Sequence, residues 1–214
     1  MRPTDVDNPD YFHKVVDCQW ACPAHTPVPE YIRLIAQGRY TDAYMLNRRS
    51  NVFPGILGRT CDRPCEPACR RGRLPEQGGS KPVAICRLKR VAADHRDDVT
   101  DLLPEIPSQK NGKRVACIGA GPASLTVARD LAPLGYDLTV FDGEKKPGGF
   151  IRSQIPRFRL PEEVIDSTCI APGEGIAGHV AATGRAPWTT YRAIFDSAFI
   201  HSGPLTATLQ SATP

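Results

Sequence analysis

Lys113-Arg-Val-Ala-Cys-Ile118, then Gly119-Ala-Gly-Pro-Ala-Ser124, then Asp137-Leu-Thr-Val-Phe-Asp142 reads as strand, glycine turn, helix and strand. The first run is short and apolar, which suits a buried parallel strand. The glycines open a helix ending near Gly135, and Asp137–Phe141 supplies the second strand, so the segment predicts one βαβ unit. Gly119 permits a tight turn, and Gly121 lets the backbone approach a pyrophosphate whose charge the helix N-terminus stabilises. Ser124 stands where a third glycine is usual and is small enough for close helix–strand packing. Asp142, closing the second strand, is placed to accept hydrogen bonds from ribose hydroxyls. A glycine turn in a nucleotide-free α/β domain is the alternative.

Upstream of this unit the chain changes character. Six of its eight cysteines fall in the first 86 residues: Cys18, Cys22, Cys61, Cys65, Cys69 and Cys86. In a reducing compartment such a group points to metal binding rather than disulfides. Thiolates are soft ligands that suit zinc or iron–sulfur clusters. Every close spacing here is Cys-x3-Cys, whereas zinc modules favour Cys-x2-Cys with histidine, and the nearest histidine is His25. Cys22-Pro23 matches the Cys-Pro that ends bacterial ferredoxin runs. The pattern favours iron–sulfur, with zinc and unliganded core cysteines as alternatives. Arginines at 59, 63, 70, 71 and 73 and the Arg87–Arg90 run are read as cations offsetting the charge of thiolate-bound clusters, not as a nucleic-acid surface. Cys117 lies inside the first strand and is expected to be core.

The first hundred residues predict helices. Val28, Tyr31, Ile32 and Ile35 share one helical face, with Thr26 and Pro27 as the start and Gly38 as the stop. A second, short helix is expected with Tyr40, Ala43 and Tyr44 inward, and a third over about 82–95 with Ile85, Leu88 and Ala92 on one side. Residues 51–79, rich in Pro, Gly, Arg and Cys, are expected to be a loop. The stretch 97–111, punctuated by Pro104 and Pro107, reads as a linker. The expected organisation is α plus α/β: a helical iron–sulfur region over 1–100, a partial Rossmann-like region over 112–166, and an irregular tail over 167–214. That tail holds four charged side chains, Glu174, Arg185, Arg192 and Asp196, and reads more like an out-of-frame translation than a selected domain; a loop-rich extension is the alternative.

Composition bounds the rest. Of 214 residues 41% are hydrophobic, which excludes wholesale disorder, and 18 glycines with 21 prolines mark a loop-rich chain. A net charge of +4 is mild for a nucleic-acid binder. No apolar run approaches the roughly 18 residues of a membrane span, and the N-terminus lacks signal-peptide order. A soluble, cytoplasmic chain is expected.

The motifs resemble the family of the glutamate synthase small subunit and the N-terminal half of dihydropyrimidine dehydrogenase. The resemblance covers about residues 10–166. It rests on Cys18-x3-Cys22-Pro, the Cys61, Cys65 and Cys69 loop, Gly119–Ser124, Asp142 through Gly148-Gly149-Phe150, and Ile155-Pro-Arg-Phe-Arg-Leu-Pro161. It implies an FAD site at Gly119, Ala120, Gly121, Pro122, Ala123, Ser124, Asp142, Gly148, Gly149 and Phe150, with Arg159 also touching FAD. It implies 4Fe–4S ligation by Cys22, Cys61 and Cys65, with Cys86 near the place of a final ligand that is sometimes not cysteine. Cys18 and Cys69 match ligands of a second cluster whose other cysteine pair is missing here, so one cluster is expected rather than two. The implied activity is electron transfer from NAD(P)H through FAD to an iron–sulfur cluster and a redox partner or subunit. The family's second glycine motif, for NAD(P)H, has no match in 167–214, so the chain is expected to be an incomplete oxidoreductase. A hydride step to flavin requires no acid, base or nucleophile, and none is nominated. The alternatives are an iron–sulfur electron-transfer module without stable flavin, and a zinc-stapled scaffold.

Overall fold

The structure is a computed structural model that describes residues 16–74, 81–144 and 146–169. These divide into two compact units. One runs up to Val99 and includes Phe158–Leu160; the other holds residues 100–157 and those from Pro161.

The first unit is helical. It contains α1 (Asp17–Trp20), α2 (Val28–Ala36), α3 (Tyr40–Ser50), α4 (Pro54–Thr60) and α5 (Ile85–Asp94), with a 3-10 turn at Arg70–Arg73. Helix α2 starts on prolines, whose fixed φ suits a first turn, and stops at Gly38 with φ +73°. Thr26 does not cap it. Its hydroxyl is buried and accepts a 2.6 Å hydrogen bond from Asn51 Nδ2 instead. The second helix is longer than the short one expected, burying Ala43, Tyr44 and Asn47.

Residues 51–79 are not all loop. Pro54 at the helix start and the buried Phe53 and Ile56 build α4, because a helix tolerates proline in its first turn. Helix α4 lies so close to α5 that a Cβ on Gly58 would meet Arg90 N at 2.8 Å. The core gathers Val28, Tyr31, Ala43, Cys65, Ile85, Cys86 and Ala92, with Cys18 and Cys61 packed against it. Tyr31 donates its hydroxyl hydrogen to the carbonyl of Ile85 at 3.2 Å.

The second unit is the βαβ segment. Strands β1 (Arg114–Ile118) and β2 (Asp137–Phe141) pair in parallel, Arg114 opposite Asp137 and Ile118 opposite Phe141. Helix α6 (Pro122–Leu131) crosses between them, continuing as a 3-10 turn that ends at Gly135 with φ +81°. Helices α7 (Phe150–Ser153) and α8 (Glu162–Cys169) follow. Strand β1 is not buried on both sides as expected. Cys117 is covered, whereas Arg114, Ala116 and Ile118 on the opposite face are exposed, because α6 covers only one face. The ordered helix also passes the expected boundary at 166 by three residues, to Cys169; the tail reading otherwise falls on 170–214, outside the described residues.

Candidate cofactor sites

The six clustered thiols are all free and come from three segments of the helical unit. Cys18 sits on α1 and Cys22 in the turn after it. Cys61 ends α4, Cys65 and Cys69 lie in the loop that follows, and Cys86 is the second residue of α5. Among the described residues two non-glycines adopt positive φ, His25 at +46° and Arg63 at +63°, each just beyond a cysteine. Such a conformation is costly and bends the chain sharply. At Arg63 the bend turns the backbone N–H onto Cys61 Sγ at 3.4 Å, and at His25 the N–H returns to the Cys22 carbonyl at 2.9 Å.

The thiols fall into two groups. Cys22, Cys61, Cys65 and Cys86 interact among themselves. The Cys65 thiol is lowered chiefly by its hydrogen bond with Cys86, and Cys86 is raised by the same bond and by burial. Burial raises Cys61; it also opposes ionisation of Cys22, but hydrogen bonding from Thr26 outweighs it and Cys22 is lowered. Cys22 Sγ lies 3.4 Å from Thr26 Oγ1. Cys18 and Cys69 form the other group: Cys18 is raised by burial and then by the nearness of Cys69. They line a cavity of about 290 Å³ with Asp17, and Arg70 and Arg73 reach Asp17 Oδ2 at 3.0 and 3.1 Å, tying the Cys69 loop to α1.

Among the described residues no three His, Cys, Asp or Glu side chains close around a single metal-ion position. The four-thiol group nonetheless fits a 4Fe–4S cluster by its chemistry, since its donors are all sulfur and sit at the edge of an apolar core. Two supporting residues stand beside the thiols: Glu66, which the sequence reading did not single out, and Lys89, which it held only as part of the basic Arg87–Arg90 run. Glu66 Oε1 accepts the N–H of Cys86 at 3.1 Å. Lys89, one turn after Cys86 on α5, is only 3% exposed, and its ammonium pulls all four thiols toward the thiolate. Helical spacing from Cys86 was the available signal, since residues three apart share a face. Cys61 and Cys86 also open onto a cavity of about 370 Å³ walled by Arg63, Arg87, Arg90 and Arg159. Arg159 belongs to the helical unit and donates from Nε to the Arg59 carbonyl at 3.1 Å.

In the second unit the structure brings together Gly119–Ser124, Asp142 and Gly148–Phe150. Gly119 has φ +85° and donates its N–H to the Phe141 carbonyl at 2.6 Å, fixing the turn against the end of β2. Gly148 N–H bonds the Ala120 carbonyl at 2.8 Å. Gly149, at φ +52°, approaches so closely that a Cβ there would lie 3.0 Å from Gly121 Cα. Asp142 Oδ2 accepts the N–H of Ala120, and Oδ1 accepts that of Glu144 at 2.8 Å, so its carboxylate braces the turn. Phe150 is exposed beside it. A Cβ on Gly119 or Gly121 would meet nothing within 4 Å, which leaves open space over the N-terminus of α6. That cradle fits the pyrophosphate of a dinucleotide.

Comparison with known proteins finds a match for each of the two regions. Residues 12–100 match the family described as dihydropyrimidine dehydrogenase domain II, 4Fe-4S cluster, and residues 117–167 match the NAD(P)-binding Rossmann-like domain. The NADP(+)-dependent formate dehydrogenase subunit beta of Moorella thermoacetica is 35% identical over 164 residues, 69% of this chain and 23% of that protein. The NAD-dependent dihydropyrimidine dehydrogenase subunit PreT homolog of Salmonella typhi is 38% identical over 149 residues, 70% of this chain and 35% of that protein. The NADPH glutamate synthase small chain of Mycobacterium tuberculosis is 35% identical over 149 residues, 70% of this chain and 30% of that protein. The chain thus spans between about a quarter and a third of the length of these relatives. It carries a 4Fe–4S domain match over residues 12–100 followed by a Rossmann-like NAD(P)-binding match over residues 117–167, and across that stretch it is similar to the glutamate synthase small chain and the dihydropyrimidine dehydrogenase PreT subunit.

Proposed function

We propose that this chain forms the iron–sulfur and flavin-binding portion of an oxidoreductase that passes electrons from NAD(P)H through FAD to a 4Fe–4S cluster and on to a partner subunit. The observation that carries the reading is the convergence of Cys22, Cys61, Cys65 and Cys86 around buried Lys89, in a chain that also holds the open glycine cradle. The names of relatives support a partner, since they are beta subunits and small chains of larger enzymes.

In this reading Cys22, Cys61, Cys65 and Cys86 hold one cluster, and Cys18 and Cys69 stand apart from it. Gly119 and Gly121 admit the FAD pyrophosphate to the backbone N–H groups at the start of α6, and Ala120, Pro122, Ala123 and Ser124 shape that turn. Gly148 and Gly149 close the cradle from the side, and Phe150 lies at its edge. Asp142 holds the turn through Ala120 and keeps lone pairs for ribose hydroxyls. For Arg159 the flavin role rests on the family resemblance alone; in the structure its Nε donates to the Arg59 carbonyl. When bound, FAD accepts hydride from the nicotinamide and releases electrons singly to iron–sulfur centres; the protein holds and tunes the groups.

Anaerobic purification tests the reading. The expected product is brown, with iron and acid-labile sulfide, and binds FAD. Stoichiometric zinc without sulfide would overturn the cluster assignment, and a brown protein that binds no added FAD would reduce the chain to an iron–sulfur module.

A further inference from the structure

Among the described residues of the helical unit, Arg59 and Lys89 both bury their cationic side chains, and they differ in how their charge is met. The Arg59 side chain, 7% exposed, is held by both carboxylate oxygens of Asp94 at 2.9 Å. Lys89 is 3% exposed and makes no hydrogen bond or ion pair with any described residue. Its charge acts instead on Cys22, Cys61, Cys65 and Cys86. Within its own run of basic residues, Arg87 and Arg90 are exposed, so burial singles out the one lysine that α5 turns inward beside Cys86 and Ala92.

Burying an ammonium is costly unless opposite charge lies nearby. Neutral thiols do not supply that charge. A cluster held by four thiolates does, because it is a net anion and gains a further negative charge when it takes up one electron. Resting on the iron–sulfur reading above, the geometry points to Lys89 as the buried counter-charge of the cluster, a positioning residue that raises its reduction potential. The ammonium favours the reduced, more negative form over the oxidised one, and the low-dielectric surroundings of α5 let that preference act with little screening.

The test is a potentiometric titration of the anaerobically reconstituted chain, with dithionite as the one-electron donor and electron paramagnetic resonance reporting the reduced cluster. Lys89→Met keeps the length of the side chain and removes the charge; Lys89→Arg keeps the charge; Arg49→Met removes an exposed charge on α3 as a control. At a fixed solution potential Lys89→Met is expected to hold a reduced-to-oxidised ratio at least tenfold lower, a shift of about 59 mV for a one-electron couple. Lys89→Arg and Arg49→Met are expected to titrate like the unmodified chain. A folded Lys89→Met that takes up no cluster, beside a Lys89→Arg that takes up a full complement, would equally support the counter-charge. A loaded Lys89→Met with an unchanged potential would overturn it, as would loss of the cluster in both variants, which marks a role in shape alone. Absence of iron and sulfide from the unmodified chain would overturn the functional reading first, and iron analysis distinguishes that failure before any titration.

Discussion

The helical unit and the glycine-turn unit build their candidate sites from opposite materials. In the first, side chains do the holding: thiols from separated segments are drawn to the edge of an apolar core, and the backbone serves to aim them, as at His25 and Arg63. In the second, the backbone is the site. Its N–H groups at the start of α6 face open space, and the surrounding residues matter mainly for being small. A side-chain site is therefore destroyed by deleting an atom, and a backbone site by adding one.

The sharpest way to break that contrast is to change one sulfur. Cys22→Ser or Cys61→Ser is expected to abolish most of the iron and sulfide, because a missing ligand leaves an iron open. Cys117→Ser should leave the iron content unchanged; that thiol is buried in β1, raised by burial alone, and belongs to the glycine-turn unit. Iron and sulfide assays decide, and equal loss in Cys117→Ser would refute the division of roles.

The converse experiment adds atoms to glycines. Gly121→Val is expected to abolish FAD binding while leaving the melting temperature of the FAD-free chain unchanged, since the new side chain enters the open cradle. Gly149→Val should lower that temperature even without FAD, because the position is left-handed and its Cβ would strike Gly121. Calorimetry with and without FAD separates the two, and a destabilised Gly121→Val would contradict the open geometry. In the helical unit Gly58→Ala serves as the packing control. It drives a methyl into the Arg90 backbone and should cost about 1–3 kcal/mol in denaturant unfolding.

A smaller effect concerns how α8 is fastened to the glycine unit. Arg152 contacts Glu162 at 2.7 Å and Asp166 at 2.6 Å. The Lys146 ammonium holds Glu162 below the usual carboxyl range; at Asp166 burial opposes this, but hydrogen bonding from Arg152 prevails and that carboxyl is lowered too. A carboxyl lowered by folding stabilises the fold above its unfolded pKa, near 4, and that contribution disappears as pH falls through the lower folded value. Arg152→Gln should therefore be less stable than the unmodified chain at neutral pH, and the gap should close toward about pH 3. A gap independent of pH would assign Arg152 to packing instead.

The same contrast explains what was legible in the sequence. The βαβ order, the turn at Gly119 and the helix at Val28–Ala36 follow from local spacing, and local spacing is what a sequence displays. Helix α4 was hidden because its proline and glycines resemble loop residues, and only its packing on α5 reveals why Gly58 must be small. The separation of Cys18 and Cys69 from the other four thiols follows from the residues' resemblance to a known family, and their grouping in space depends on contacts across dozens of residues. Lys89 was visible as one basic residue in a run of them. Its burial depends on how α5 is rotated, which charge counting does not reveal.

The tethers between α1 and the Cys69 loop carry one more consequence. Arg70 and Arg73 reach Asp17 from the surface, with side chains 65% and 62% exposed. Dissolved ions compete for such contacts, and the distance over which charges sense one another contracts from about 8 Å at physiological ionic strength to about 3 Å in molar salt. The four thiols around Lys89 are held by core packing and backbone turns that added salt scarcely affects. Concentrated sodium chloride thus becomes a reagent that loosens Cys18 from Cys69 selectively, so that labelling of this pair by a thiol reagent should rise with added salt.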